Sequence, residues 1–340
     1  MKAAIARITT SGPGRSFFRW LMGHRVAVLT LHRFCRPGSD ASGHDPRFIR
    51  QVLSDLRSKR VPVLSLREVV DGLAQGQAMR GVCFTVDDGY QNFFRHGAPV
   101  FQELDCPVTV FLTTGFIDGE YWFWWDRITY AFQNSPLATV DVPVLEQRVE
   151  LGDGRHRKEV ARLVSGRIKT LPQDRRPQHV QTVLESLEAE IPEAPPTVYE
   201  PLTWHQVRSL HERGFEFGPH SVRHLSFRTA RPGEVREEVN SSFARLREEL
   251  PSALQVFCYP YGTEDDVSPE VAEIVAEEGM KGALTTIPGY VRSRGKPTTS
   301  RFLIPRFGMP DNLLDFGQIA YGVERGKEIW RGLLPSLPAS

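Results

Sequence analysis

The alternation of short apolar segments with amphipathic segments constrains the fold of this chain more than any other feature. Residues 44–60 place Phe48, Val52 and Leu56 on one helical face, and residues 108–112 have the composition of a strand. This rhythm predicts parallel strands, since each helix returns the chain to the same edge of the sheet. We therefore expect an α/β barrel with its functional groups at the carboxyl ends of the strands. Further helices are predicted at 66–73 and 98–104, and a further strand at 61–64.

Two adjacent carboxylates end one of the strands. The apolar run Val82 to Val86 is followed by Asp87, Asp88 and Gly89. Successive side chains of a strand point to opposite faces, so one acid can bind a metal while its neighbour handles a proton. An ordinary Asp-Gly turn at a strand end is an equally good interpretation of this segment taken alone.

A pair of histidines follows a second strand candidate. His220 and His224 come after the short apolar segment 215–217, which itself follows a helix candidate at 203–212. Imidazoles four residues apart can converge on one cation. With Asp88 they would supply two nitrogens and one oxygen, leaving positions open for water and substrate as in a catalytic divalent site. Taken alone, such a pair is more often a surface pair.

A third apolar run, residues 256–262, ends in Pro260, Tyr261 and Gly262. Because Pro260 lacks an amide donor and fixes its own backbone, the amide of Tyr261 can point into a site at this corner. It would then stabilise an oxyanion. A strand followed by a plain turn is the alternative for this segment.

These three motifs resemble those of the metal-dependent polysaccharide deacetylases of carbohydrate esterase family 4, also called the NodB homology domain. Residues 85–89 are similar to the family's Thr-Phe-Asp-Asp-Gly motif, and residues 220–224 to its His-Ser/Thr-x-x-His motif. Residues 257–262 are similar to the third motif, which ends in Pro-Tyr. The resemblance covers residues 26–116 and 200–310, with the motifs in the family's order.

The resemblance implies a distorted (β/α)7 barrel and a role for each motif. It makes Asp87 the general base, gives a divalent metal, most simply zinc, to Asp88, His220 and His224, and places the backbone of Tyr261 in the oxyanion hole. Other first-row metals also suit such a mixed nitrogen and oxygen site.

The chain departs from the family pattern in the residue that pairs with the general base. The third motif usually carries an arginine that pairs with the base, but Cys258 occupies the matching position. Arg306, which follows another apolar run, is the best candidate to hold Asp87, because a guanidinium binds a carboxylate as a fork. A surface arginine after a strand is the alternative.

A second departure concerns the general acid. No Leu-x-His motif follows near the C-terminal end, but His32 ends the first strand candidate. This resembles a permuted branch that includes poly-N-acetylglucosamine deacetylases and has its acid near the N-terminus. The first and last strands of a barrel are neighbours, so His32 can replace the missing acid. A histidine titrates near neutrality, which suits that role, and a rim histidine without a catalytic task is the alternative.

Composition and charge are those of an ordinary globular enzyme. The 340 residues are 40% hydrophobic and 24% charged, and the formal net charge of +1 gives no field that favours nucleic acid. The cysteines lack metal-binding spacing and are expected to be free thiols, which favours a reducing compartment. No secretory signal or span of about 20 apolar residues is seen, so we expect a cytoplasmic protein. Peripheral membrane contact through residues 15–22 is the alternative to a helix packed on the barrel.

The predicted domain organisation is a single interrupted barrel. We expect an N-terminal extension at 1–24, the barrel at 25–325, a mostly helical insertion at 118–200 and a C-terminal tail at 326–340. The insertion contains Trp122, Trp124 and Trp125, and packing between insertion and barrel is expected more than stacking on sugars.

The predicted function is metal-dependent hydrolysis that removes N-acetyl groups from an amino-sugar glycan or glycoconjugate. One alternative is an N-deacylase or deformylase of a lipid-linked or nucleotide-linked sugar or a small amide. Another is a carbohydrate-binding relative without activity. The oligomeric state does not follow from the sequence.

Overall fold

A computed structural model describes residues 23–35, 42–294 and 298–322. The predicted N-terminal extension up to residue 22, with its basic and aromatic segment 15–22, lies outside the described residues. The predicted tail at 326–340 does so as well.

Parallel strands form a curved wall. The main sheet has the order β10-β1-β2-β3-β6, and its neighbouring strands on this path are all parallel. The parallel pair β7 and β8 continues the wall, because the amide of Leu254 donates to the carbonyl of Phe217 at 2.7 Å. A parallel bridge between Leu284 and Ile304 leads back towards β10. The prediction of a distorted α/β barrel is therefore confirmed. The strands are β1 Arg25–Leu31, β2 Gly81–Val86, β3 Thr109–Leu112, β4 Thr139–Val142, β5 Gln147–Glu150, β6 Glu216–Pro219, β7 Val256–Cys258, β8 Gly282–Leu284, β9 Val291–Arg292 and β10 Phe307–Gly308.

Helices cover the wall and begin where the sequence supplies caps. Asp45 caps the first helix and Pro46 occupies its first turn, which shortens the predicted segment 44–60. Thr203 and Gln206 form a capping box at the predicted segment 203–212. The helices are α1 Pro46–Ser58, α2 Leu66–Ala74, α3 Ala98–Glu103, α4 Thr114–Ile117, α5 Trp124–Asn134, α6 Gly154–Lys169, α7 Arg176–Ser186, α8 Trp204–Glu212, α9 Pro232–Glu249, α10 Pro269–Glu277 and α11 Leu313–Ala320.

The core explains why the central strands have continuous apolar sequences. All six residues of β2 are buried, as expected for a parallel strand covered on both faces. Phe84 of this strand packs against Phe101, with the ring centroids 5.7 Å apart, and both are fully buried. The strand ends are thus held by packing on both sides, which fixes the positions of the polar residues that follow them.

The insertion has a core of its own. Helices α5, α6 and α7 bury Phe132, Val164 and Val183 in one cluster, as the mostly helical prediction requires. The hairpin of β4 and β5 is an addition that the sequence did not predict. In the part of the chain that the structure describes, the helices are too short or too polar to cross a bilayer.

Candidate active site

The predicted site residues meet at the carboxyl ends of the parallel strands. His32 follows β1, the tandem acids follow β2, the histidine pair follows β6, and Tyr261 follows β7. A cavity of about 320 Å³ brings them together. Its lining includes His32, Asp87, Asp88, His220, His224 and Tyr261.

Asp88 and the two histidines are spaced as ligands of one ion. The Oδ1 atom of Asp88 lies 3.6 Å from Nε2 of His220 and 3.5 Å from Nε2 of His224. These separations are too long for good hydrogen bonds, but they are close to the ~3.3 Å between ligand atoms of a tetrahedral ion with bonds of about 2.0–2.1 Å. The Oδ1 atom is also buried without a hydrogen-bond partner among the described residues. These residues therefore fit a divalent cation.

Burial alters the protonation of the same three residues. Burial and the neighbouring charge of Asp87 raise the pKa of Asp88 to about 8. Burial also lowers the pKa of His220 and of His224. Both imidazoles are therefore neutral at neutral pH, which is the form that binds a metal ion. A bound cation would offset the cost of ionising Asp88, and its binding would release that proton.

Hydrogen bonds orient the imidazole of His220 and shape the loop that follows it. The Nδ1 atom of His220 lies 2.7 Å from the carbonyl oxygen of Cys258, which assigns the proton to Nδ1 and leaves Nε2 as the donor atom for a metal. The amide of His224 donates to the hydroxyl of Ser221 at 2.9 Å. Asp88 (φ 74°), Ser221 (φ 64°) and His224 (φ 53°) have left-handed backbone conformations, as strained residues at functional sites often do.

A buried acid from α9 supports this loop. The carboxylate of Glu238 is 1% exposed and accepts hydrogen bonds from the amides of Val222 at 2.8 Å and Arg223 at 3.0 Å. Sequence analysis missed Glu238. Its signal was an acid on the same helical face as the apolar residues Val235 and Val239.

Arg306 lies where the sequence analysis placed a partner for Asp87. Its Nη1 and Nη2 atoms each donate to one carboxylate oxygen at 2.8 Å, and its side chain is fully buried. Burial by itself would raise the pKa of Asp87, but the charge and hydrogen bonds of Arg306 hold it well below its usual range. Cys258, which replaces the family arginine, places its sulfur 3.2 Å from Nη2 of Arg306.

His32 also lies close to the Asp87 carboxylate. Its Nε2 atom lies 4.0 Å from Oδ2 of the carboxylate, and 51% of the side chain is exposed. The surrounding protein lowers the pKa of His32 by restricting its hydration, although Asp87 opposes this and the exposed half of the ring limits it. Burial therefore favours the neutral imidazole of His32 in the resting site.

The backbone of Tyr261 turns sharply in a left-handed conformation. Its φ is 58°, and its carbonyl accepts a hydrogen bond from the hydroxyl of Thr286 at 2.5 Å. Among the described residues, none accepts a hydrogen bond from its amide. This leaves the amide available for a ligand.

The insertion contributes side chains that the sequence analysis did not assign to the site. Trp122 and Trp124 pack against the cores, as expected, whereas Trp125 also lines the cavity, with its ring centroid 5.0 Å from that of His224. The ammonium of Lys169 lies 5.7 Å from the centroid of the Trp125 ring. It is also 5.6 Å from the ring centroid of Tyr261.

A buried ion pair joins the insertion to the strand end that carries His32. Asp126, in the first turn of α5, pairs with Arg33, the next residue after His32. The hydroxyl of Tyr90 also donates to Asp126 at 2.7 Å, and the guanidinium of Arg33 lies 3.9 Å from the Tyr90 ring centroid. This network fixes the insertion against the barrel mouth.

Comparisons with known proteins give a family and related folds. Residues 75–283 match the family model described as polysaccharide deacetylase. No curated protein sequence matches the chain. The fold is similar to that of the Streptococcus pyogenes deacetylase PplD in complex with acetate, with a TM-score of 0.55, 16% identity, and 92% of this chain and 99% of that chain covered.

Two further structures have similar folds. IcaB from Ammonifex degensii gives a TM-score of 0.55 at 17% identity, covering 88% of this chain and 98% of its own. The BpsB deacetylase domain from Bordetella bronchiseptica gives a TM-score of 0.51 at 17% identity, with 84% of this chain and 96% of that chain covered. The chain belongs to the polysaccharide deacetylase family and is a hydrolase that acts on the N-acetyl amide bonds of glycans.

Proposed function

We propose that this cavity deacetylates amino-sugar residues with a divalent metal held by Asp88, His220 and His224. The observation that carries the proposal is the unpartnered, buried Oδ1 atom of Asp88, which lies about equally far from two imidazole nitrogens. Zinc is the metal we propose, because two imidazoles and a carboxylate suit it at about 2.0–2.2 Å. Elemental analysis of the purified protein tests this choice.

Asp87 is the proposed base. When bound, the metal would polarise the amide carbonyl and make the attacking water more acidic. Arg306 keeps the Asp87 carboxylate ionised and fixed, so that it accepts a proton as the water oxygen bonds to the carbonyl carbon. The amide of Tyr261 is the proposed donor to the resulting oxyanion.

His32 is the proposed acid for the departing amine. Because His32 rests neutral, it must first receive a proton, and the nearest source is the one that Asp87 takes from water, 4.0 Å away. Transfer of that proton to nitrogen accompanies cleavage of the carbon–nitrogen bond. The products are acetate and the free amino sugar.

The test is amine release from N-acetylglucosamine oligosaccharides by the metal-loaded protein. The substitution Asp87→Asn is expected to abolish turnover and retain bound metal, whereas His220→Ala is expected to lose both. Normal turnover by the Asp87→Asn variant would refute the assigned roles. Bound metal without amine release from any N-acylated sugar would favour a carbohydrate-binding relative without activity.

A cytoplasmic location remains part of the proposal. It is supported by the free thiols Cys35, Cys83, Cys106 and Cys258. Fractionation of cells that produce the protein tests it.

A further inference from the structure

A lysine of the insertion reaches the cavity that contains the proposed metal ligands. Lys169 is the last residue of α6, and it lines both the cavity of about 320 Å³ and a neighbouring groove of about 790 Å³. The residue is exposed. The proposed base, acid, oxyanion donor and metal ligands are all other residues, so the mechanism gives Lys169 no task.

A buried arginine holds the turn that carries Lys169. Arg176, at the start of α7, is 6% exposed and donates to the backbone carbonyl of Lys169 at 2.8 Å. It also donates to the carbonyl of Leu171 at 2.9 Å and to the side chain of Gln173 at 2.8 Å. Carbonyls at the end of a helix lack partners within the helix, and Arg176 supplies them here. A substitution of the Lys169 side chain leaves these backbone contacts in place.

Two aromatic rings relate Lys169 to the metal ligand His224. The Tyr261 ring centroid lies 5.6 Å from the ammonium of Lys169 and 4.8 Å from the imidazole centroid of His224. The ammonium is therefore within about 10 Å of that imidazole. The Trp125 ring is also near both groups, at 5.7 Å and 5.0 Å. One amino sugar with a substituent spans such a distance, so a sugar whose acetamide meets the proposed metal ligands also reaches Lys169.

The ammonium of Lys169 has capacity for a further partner. Among residues 23–35, 42–294 and 298–322, no carboxylate forms an ion pair with it and no acceptor takes a hydrogen bond from it. Its contacts are with the ring faces of Trp125 and Tyr261. Such contacts at an exposed site are weaker than a hydrogen bond from an ammonium to an anionic oxygen. An anion would therefore bind here in preference to water.

Asp88 is the acid that acts most strongly on Lys169, and it lines both the cavity and the groove. As a proposed metal ligand, its carboxylate faces a divalent ion whose charge exceeds its own. Asp88 therefore does not neutralise Lys169 in the metal-loaded site.

The other acids that line the cavity and the groove are each in an ion pair. They are Asp87 with Arg306, Asp126 with Arg33, and Glu159 with Arg155. Asp266 lines neither space but also acts on Lys169, and Arg176 acts on Lys169 with the opposite sign. The three acceptors of Arg176 described above are neutral oxygens, so its charge opposes that of Asp266. Lys169 is thus a cation in excess beside the proposed metal ligands.

We propose that Lys169 binds an anionic group on the same sugar whose acetamide is hydrolysed. The substrate class is an N-acetylated amino sugar that itself carries a carboxylate or a phosphate. This deepens the proposed function and rests on it. A neutral sugar would leave the ammonium with only aromatic rings as neighbours, and a charge on a more distant sugar of the chain would lie beyond its reach.

The experiment compares three sugars as substrates of the zinc-loaded full chain. They are the methyl glycoside of N-acetylglucosamine and its derivatives with a carboxylate or a phosphate at C6. We expect kcat/KM for an anionic sugar to exceed the neutral value about tenfold at low salt, through KM, and the ratio to fall as salt screens the charges. The two derivatives tell a carboxylate from a phosphate. N-acetylglucosamine 1-phosphate and 3-phosphate then locate the anionic group on the ring.

Substitutions of Lys169 test whether it is the source of this preference. Lys169→Met keeps an apolar stem without the charge and is expected to bring the ratio of anionic to neutral kcat/KM to about 1, whereas Lys169→Arg is expected to retain most of the preference. Arg167→Met is the matched control, since Arg167 is exposed on the same helix and lines neither space. A purely structural lysine would change stability and leave the ratio as it is.

Two results would overturn the inference. One is a parent protein with equal kcat/KM for the neutral sugar and for every anionic sugar. The other is a preference for anionic sugars that persists in Lys169→Met, which would assign the preference to another group, such as the metal itself.

Failure of the proposed function gives a different pattern. Calorimetry with the metal-free protein measures sugar binding without turnover. Tighter binding of the anionic sugars that Lys169→Met removes, together with no amine release from any sugar, would reject deacetylation and support the anion site. Amine release from all the sugars without a preference would support deacetylation and reject the anion site.

Discussion

The buried pair of Arg306 and Asp87 allows a quantitative test of how the site is held. The guanidinium is fully buried and donates to both carboxylate oxygens at 2.8 Å. Arg306→Met removes the positive charge and leaves the carboxylate with neutral neighbours such as the hydroxyl of Thr30, which donates to it at 3.2 Å. An uncompensated buried charge costs about 3–5 kcal/mol, and we expect the free energy of unfolding to fall by that amount.

A double-mutant cycle separates the lost pairing from the lost packing. Asp87→Asn/Arg306→Met removes both charges, so it is expected to be less destabilised than the sum of the single variants by about 2–3 kcal/mol. Urea denaturation of the metal-free protein at pH 7.5 measures these values without a contribution from metal binding.

Arg301→Met is the control for this cycle. Arg301 is exposed in the loop that leads to Arg306, and its replacement is expected to change stability by less than about 0.5 kcal/mol. Two results would refute the reasoning about the buried pair. One is a loss of unfolding free energy in the double variant that equals the sum of the losses in the single variants. The other is an Arg306→Met protein whose unfolding free energy is within about 1 kcal/mol of the parent value.

Three further perturbations test the surroundings of the cavity. Glu238→Met removes the acceptor of the Val222 and Arg223 amides and is expected to weaken zinc affinity about 10- to 100-fold in competition with a chelator. The matched variant Glu237→Met, at an exposed position, is expected to leave zinc affinity unchanged. Asp126→Ala leaves the guanidinium of Arg33 without its counter-ion and is expected to cost about 3 kcal/mol in urea; an unchanged midpoint would contradict this. The pKa of His32 is lowered in the folded protein, so the unfolded chain gains the proton first and the parent loses stability below about pH 6.5. Relative to His32→Gln this loss is expected to reach about 1 kcal/mol at pH 5, limited by the exposed half of the ring, and a pH-independent difference would argue against it.

The sequence predicts that the site residues lie close together, because each of them follows the carboxyl end of a strand. Asp88, His220 and Tyr261 each follow an apolar run, and parallel strands bring such ends to one edge whatever their separation in sequence. The pairing of Arg306 with Asp87 followed from the same logic. Roles in catalysis remain predictions.

The contributions of the insertion could not be predicted in this way. Trp125 and Lys169 reach the cavity from helices whose placement depends on packing between the insertion and the barrel. Helical periodicity identifies the buried face of such a helix, but it does not say which strand end the other face covers. The lowered pKa of His32 depends on its surroundings and has no counterpart in the local sequence.

The pairing of Arg306 with Asp87 has a consequence for the synthesis of this protein. Arg306 is 219 residues further along the chain, so the ribosome makes the carboxylate long before it makes the group that fixes it. A nascent chain with β1 to β8 complete still lacks the guanidinium, and its acid is free to change direction. The carboxylate of the proposed base is therefore expected to become fixed late in synthesis, when the last strand of the barrel docks.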